Sequence, residues 1–299
     1  MPNGDSVTQM PQALRLMTIH AHPDDEASKG ASLVAKYAAE GVETVLVCAT
    51  GGEEGDIVNP AMDRPEILEN LTAVRIAELK ASTDLIGFDR VHMLGYRDSG
   101  MAKTEANKHP ECFAAADLDE AVGRLVALIR GERPHVLITY SDDQQGYLHP
   151  DHLRVHDISG PAFAAAGDPD AYPGVGEPWQ PLKLYYSTWC RARLVAMHEA
   201  FEANGLESPF TEQWFKRPFN DDRLTTQIDI GEWFGVRGQA LLAHATQVDP
   251  NEKFWFGLPD DISRAAYPYD DYILALSHVE TELPESDMFA GIREDVTGS

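Results

Sequence analysis

The amino-acid sequence predicts an α/β fold, with a mostly parallel sheet flanked by helices and a C-terminal α+β extension. Two observations carry this reading. Apolar stretches of strand length alternate with longer stretches of helical periodicity, the pattern of parallel strands joined by crossover helices. In addition, AHPDDE, ATGGEEGD, GYRDSGM and TYSDDQQGYLHPDH each begin where a predicted strand ends. Ligands of open α/β sheets collect outside the carboxyl ends of the strands, so these four polar segments are expected to converge on one edge.

Taken in order, LRLMTIHA (14–21) reads as a short buried strand after a polar N-terminal tail. SKGASLVAKYAAEG (28–41) follows as a helix with Leu33, Val34, Tyr37 and Ala38 on one face and Gly41 as its C-cap. ETVLVCAT (43–50) is a second strand, RPEILENLTAVRIAELKASTDLIG (64–87) one long helix, and RVHMLG (90–95) a third strand. A helix over 117–130, with Leu118, Val122, Leu125, Val126 and Ile129 in register, leads into the strand PHVLITY (134–140). Beyond residue 181, LKLYYSTW reads as a strand, QIDIGEWFGVRGQALLAHATQ as a strand turning into a helix, and FWFGLPDDISRAAYPYDDY as an aromatic, turn-rich segment. The expected organisation is a core over 1–180 and an extension over 181–299 that completes the substrate site, within one compact domain.

Hydrophobic residues make up 43% of the 299 and charged residues 24%, ordinary for a chain that folds alone. The net charge of −25 argues against nucleic acid and anionic membranes as partners, because both need a basic face. Cys48, Cys112 and Cys190 are odd in number and widely spaced, which suggests neither a disulfide framework nor a cysteine zinc knuckle. The opening MPNGDSVTQMPQALRL lacks a basic stretch followed by an apolar one, and no run reaches the ~20 apolar residues of a membrane span. A cytoplasmic location is expected.

Crowded carboxylates repel one another, so the acidic cluster of AHPDDE calls for a cation. Pro23 biases His22 toward an extended conformation, from which His22 and Asp25 can turn toward one point above the sheet. YLHPDH supplies His149 and His152 at the end of another strand. Two imidazoles and one carboxylate with a fourth position open is the pattern of a catalytic zinc site, and the expected ligands are His22, Asp25 and His152. Either tetrapeptide alone is often only a capped turn; the two together favour a metal. His156 is expected to serve packing or solvent, and His20, His92, His109 and His135 to be structural. TGGEEG lacks the GK[ST] ending of a phosphate loop and carries two glutamates that would repel phosphate.

AHPDDE together with YLHPDH resembles the zinc-dependent N-deacetylase/amidase superfamily that includes LmbE-like and PIG-L proteins. HAHPDDEASKGA, TGGEEGD, YRDSGM, HATQ and FWFGLP, with LPESDMFAGI near the end, are most similar to its amidases acting on mycothiol S-conjugates. The resemblance implies a Rossmann-like fold, a small-molecule substrate and one Zn2+ per chain, with Fe2+ as the alternative. It implies that Asp24 is the general base, that His149 protonates the leaving amine or stabilises the oxyanion, and that Asp151 orients or charges His149. Tyr147 would donate to the tetrahedral intermediate, while Glu26 is left to cap the next helix. Asp56, Arg75 and Asp98 match positions that bind sugar and inositol hydroxyls in the related deacetylase. Their plainer readings are a turn residue for Asp98 and a surface partner of Glu78 for Arg75. Lys29, a turn or two beyond the metal motif, is expected on the acyl side of the scissile amide, and lysine there resembles the amidases. His244 and Gln247 of HATQ are expected on a helix, in contact with substrate or in packing.

The expected reaction is thus hydrolysis of mycothiol S-conjugates to N-acetylcysteine S-conjugates and glucosaminyl-inositol, in thiol-based detoxification. The rivals are deacetylation of N-acetylglucosaminyl-inositol, an amidase recruited to a secondary-metabolite pathway, and a non-catalytic sugar-binding module with a structural metal.

Overall fold

The computed structural model describes residues 13–144 and 147–293. Most of the polar N-terminal tail lies outside that range. A seven-stranded sheet runs through the molecule in the order β3-β2-β1-β4-β5-β7-β6. Its strands are β1 (Arg15–His20), β2 (Glu43–Thr50), β3 (Arg90–Tyr96), β4 (Val136–Tyr140), β5 (Lys183–Thr188), β6 (Thr226–Asp229) and β7 (Tyr269–Ser277). The first five are parallel, and β7 runs antiparallel to both β5 and β6.

Both faces of the parallel part are covered, which is why its strands read as nearly continuous apolar runs. Alternation along β1 sends Met17 and Ile19 to one side, against Val122, Leu125 and Ile129 of α5 (Leu118–Glu132) and Val155, Ile158 and Phe163 of α6 (Pro150–Ala166). Leu16 points to the other, where Leu33, Val34 and Tyr37 of α2 (Ala31–Ala39) and Leu241 of α9 (Phe234–Ala243) pack with Phe289 and Ile292. Pro65 opens the short α3 (Pro65–Leu68), ahead of α4 (Leu71–Ile86). A smaller aromatic cluster joins α7 (Arg191–Ala203), α8 (Glu212–Phe215), α10 (Lys253–Phe256) and α11 (Asp260–Ala266) around Phe201, Phe210 and Leu258.

Several sequence expectations need correction. The helix expected over 28–41 is two helices, α1 (Asp25–Ser28) and α2, broken at Lys29 and Gly30. Gly30 adopts φ +135°, and a Cβ there would lie 3.3 Å from the Tyr272 hydroxyl, so close approach of β7 fixes the break. Gly41 lies one residue beyond the C-cap, Glu40. The helix expected over 64–87 is likewise two, α3 and α4, parted at Glu69 and Asn70. HATQ lies past the end of α9 in a turn, with His244 as the C-cap.

Candidate active site

The strand order reverses between β1 and β4, and the crevice at such a switch point is where open α/β sheets bind ligands. His22 through Glu26 follow β1, and His149 through His152 lie beyond β4. Asp24, between the strand and α1, adopts φ +111°, an uncommon conformation that costs about 1–3 kcal/mol and persists only when its surroundings hold it. Arg75 of α4 does part of the holding: it donates to the carbonyls of Pro23 and Gly52 at 2.6 Å each and to Asp24 Oδ2 at 3.1 Å. Glu26 accepts the Asp24 amide at 2.9 Å. Gly52 is required for this contact, because a Cβ there would sit 2.3 Å from the guanidinium.

Three donors converge beside Asp24. Asp25 Oδ2 lies 3.4 Å from His22 Nδ1 and 3.2 Å from His152 Nε2, all three residues are buried, and their donor atoms fall within 4.8 Å of one another. A second set, His22, Asp98 and His149, meets the same distance. It is the weaker fit. Both carboxylates accept hydrogen bonds from their surroundings, Asp98 from the amides of Gly100 and Glu54 and Asp25 from the His22 amide and the Tyr140 hydroxyl, but in the second set one ring nitrogen of His149, Nδ1, is already taken by the Asp151 amide at 3.2 Å. In the first set, two imidazoles and a carboxylate suit a divalent ion such as zinc.

The electrostatics point the same way. Burial alone would lower the His22 pKa, yet hydrogen bonds to Asp151, Asp25 and Asp98 push it well above the usual value, so this pocket favours positive charge. Asp25 is driven the other way: against its burial, the charges of His152 and Lys29 hold its pKa well below the carboxylate range. Asp24 is raised to about 6 by burial and by the adjacent Asp25 charge, against the pull of Arg75. Burial and the His22 charge lower His149 to about 4, leaving a neutral ring whose Nδ1 is an acceptor and whose Nε2 therefore carries the proton.

The other expected site residues fall in different places. Asp151 does not meet His149 through its carboxylate; that group accepts from the Ser99 amide at 2.9 Å and lies 3.2 Å from His22 Nε2, orienting the imidazole from behind. Arg75 is buried under the motif and pairs with Asp24, whereas Glu78 accepts from Thr246. Asp98 is buried and lies 3.6 Å from His22 Nε2. Asp56 is solvent-exposed. Tyr147 is exposed at the rim, its ring 5.3 Å from that of His152. Lys29 is half-buried and donates to Asp25 Oδ1 and, at 3.2 Å, to Ser28 Oγ. His244 is fully buried on Glu26, which also accepts from Ser82; Glu26 is a buried anchor and not simply a cap.

His156 bonds the Tyr140 carbonyl and packs on Tyr186, outside both donor sets, as expected of a structural histidine. The glutamates of GGEEG stitch the neighbouring loop: Glu53 accepts the Asp98 amide at 3.0 Å and Glu54 pairs with Arg97. Two contributors were not anticipated. Tyr140 donates to Asp25 Oδ2 at 2.7 Å and stacks on His152 at 4.4 Å, and Ser99 holds Asp151. Their positions just after or at strand ends were the available signal.

A base-like carboxylate beside a buried His–Asp–His donor set, at the switch point of a parallel sheet, defines an α/β enzyme equipped for hydrolysis. The family model described as PIG-L, GlcNAc-PI de-N-acetylase, matches residues 17–163. The mycothiol S-conjugate amidase of Streptomyces coelicolor is 45% identical over 296 residues, covering 96% of this chain and 100% of its own. The 1D-myo-inositol 2-acetamido-2-deoxy-alpha-D-glucopyranoside deacetylase of Thermobispora bispora is 42% identical over 263 residues, covering 84% of each. Among solved structures, N,N'-diacetylchitobiose deacetylase from Pyrococcus horikoshii shares the fold at a TM-score of 0.59 and 17% identity, over 88% of this chain and 84% of that one. The chain belongs to the PIG-L/LmbE family. It is an enzyme of the deacetylase/amidase class, which removes the non-catalytic sugar-binding reading. Among the described residues, no helix is long and apolar enough to cross a membrane.

Proposed function

We propose that the protein is a metal-dependent amidase that hydrolyses mycothiol S-conjugates to N-acetylcysteine S-conjugates and glucosaminyl-inositol. The observation that carries the choice of amidase is a cavity of about 700 Å3 that begins at Lys29, Tyr147 and His152 and continues between Trp189, Trp214 and Phe254. An acetyl group would leave most of that space empty. An N-acetylcysteinyl group with an apolar substituent on sulfur would fill it, and apolar walls reward such burial at roughly 25 cal/mol per Å2. The 45% identity to an enzyme named for that reaction supports the same reading.

His22, Asp25 and His152 would hold one zinc ion, with Fe2+ as the alternative. A divalent ion there supplies polarisation of the amide carbonyl and acidification of water. Asp24, with its pKa near 6, is ionised at neutral pH and accepts the proton of the attacking water. Its raised φ and the Arg75 contact fix where the carboxylate points. His149, neutral, donates a hydrogen bond from Nε2 to the developing oxyanion, and the proton that Asp24 takes from the water passes to the leaving nitrogen. Tyr147 at the rim donates to the same oxygen. Lys29 reaches the acyl side, where the second amide carbonyl of the N-acetylcysteinyl group is an acceptor. Asp56 and Asp98 serve the sugar side, while Arg75, buried beneath the motif, acts by positioning Asp24.

The test is turnover by the metal-replete protein of a fluorescent mycothiol conjugate beside N-acetylglucosaminyl-inositol. A higher kcat/KM for the conjugate is expected; the opposite preference would return the deacetylase, which would use the same acid and base.

A further inference from the structure

One wall of the cavity is built with charges that the hydrolytic chemistry does not use. Arg193 of α7 and Arg237 of α9, each about 7% exposed, both line it. Among the described residues, each guanidinium makes one side-chain hydrogen bond, and both go to the same atom, Oδ1 of the buried Asp270. Arg237 Nε is buried without a partner, and so is Oδ2 of Asp270. Each guanidinium carries five N–H donors, so even with the free oxygen of Asp270 counted the pair keeps donors to spare at the cavity wall. Asp271 does not absorb it, being engaged by Gln227, Tyr267 and Cys190.

The aromatic walls are arranged around these cations. Phe254 stacks on Trp189 at 5.3 Å and on Trp214 at 5.4 Å, and Arg193 lies 4.2 Å from the Trp189 ring centre. Arg217 covers the Trp214 ring at 4.0 Å and lines the same cavity. Three arginines thus line one chamber with aromatic walls, together with the carboxylates of Asp143, Asp270 and Asp271. Burying two guanidiniums that hydrogen-bond one carboxylate oxygen, with Asp271 as the neighbouring charge, is a costly device for stability, since buried charges carry a large desolvation cost. It makes sense as recognition, because paired guanidinium forks match a carboxylate.

We propose that this wall of the chamber is a carboxylate-binding subsite, formed by Arg193 and Arg237, that selects conjugates whose sulfur-linked group is a flat apolar body ending in a carboxylate. The subsite deepens the amidase reading and rests on it for its biological role, but its binding chemistry can be tested separately.

The test compares two probes of nearly identical shape, N-acetyl-S-(4-carboxybenzyl)cysteine methylamide and its neutral 4-carbamoylbenzyl counterpart, binding to the metal-loaded protein. Affinity is followed by tryptophan fluorescence, with Trp189 and Trp214 in the walls. The carboxylate probe should bind about tenfold or more tightly, the usual return for one charge-assisted contact. That ratio should fall to about twofold or less in Arg193→Gln. Arg237→Lys keeps the charge and loses the fork, so it should give an intermediate ratio and guards against a folding defect in the first variant; near-UV circular dichroism reports on both. Equal affinity of the two probes for the wild type overturns the subsite, and so does a preference that survives in both variants. Hydrolysis of a neutral S-benzyl conjugate is measured alongside: its absence would count against the amidase reading and leave the binding comparison intact.

Discussion

Glu26 and His244 meet at 2.6 Å in the space beneath the metal motif, both fully buried and 218 residues apart in sequence. The histidine pKa is raised: burial lowers it, and the Glu26 charge and hydrogen bond more than compensate. Because Glu26 also accepts the Asp24 amide, the pair ties the C-terminal half of the chain to the loop that carries the candidate base. Glu26→Ala or His244→Ala leaves an uncompensated buried partner and should cost about 3–5 kcal/mol. Urea denaturation checks this. A loss under 1 kcal/mol in both would show that the pair is not anchoring the motif.

For the donor set, His22→Ala, Asp25→Ala and His152→Ala should each lower metal content and abolish hydrolysis, since two remaining ligands make too weak a site. Metal analysis of the purified variants decides the matter. Full occupancy in any two of them would point to other ligands, Asp98 and His149 first.

Asp24→Asn and His149→Ala should retain metal and lose kcat by about 10²–10⁴-fold, the usual range for a general acid or base. Wild-type kcat at full metal loading would remove that residue from the reaction.

Lys29→Ala should lower kcat/KM for the mycothiol conjugate by about tenfold or more, as expected for one charged hydrogen bond. Activity on N-acetylglucosaminyl-inositol should be low at the outset and nearly unchanged. Equal losses on both substrates would mean that Lys29 acts through Asp25, which it touches.

A fifth expectation concerns His135, away from the site. Its Nδ1 accepts the Arg15 amide at 3.1 Å, and burial, followed by the Arg15 charge, lowers its pKa to about 4. In the unfolded chain the value is near 6.5. The unfolded state therefore takes up the proton first, so stability is complete above about pH 6.5 and declines as the pH falls toward 4. At pH 5 the loss should be on the order of 2 kcal/mol. Comparing denaturation at pH 7.5 and pH 5, His135→Asn should lose less stability than the wild type by that amount; the same pH dependence in both would assign it elsewhere.

The parallel sheet and the His–Asp–His convergence were legible because each depends on local pattern: apolar runs bounded by turns, and two histidine motifs following strands. What escaped depends on contacts distant in sequence. The break at Gly30 is set by Tyr272, and a single glycine in a helical pattern gives no sign of it. Tyr140 reads as the last core residue of a strand until its hydroxyl is seen on Asp25. Arg75 looks like a surface helix residue because the loops it clamps come from two other elements. The chamber walls come from α8, α10 and the turn after β5, so no stretch of sequence displays them together.

The reversal of β7 has a consequence for how such an enzyme can diversify. Because β7 is antiparallel to β5, its opening residues lie at the edge where the parallel strands finish, Asp271 opposite Thr188. Residues encoded late in the gene thus face a reaction centre encoded mainly in the first half. Mutations there can reshape what the cavity accepts without disturbing His22 or Asp25, so acceptance is free to drift between lineages while the groups around the candidate base are inherited intact.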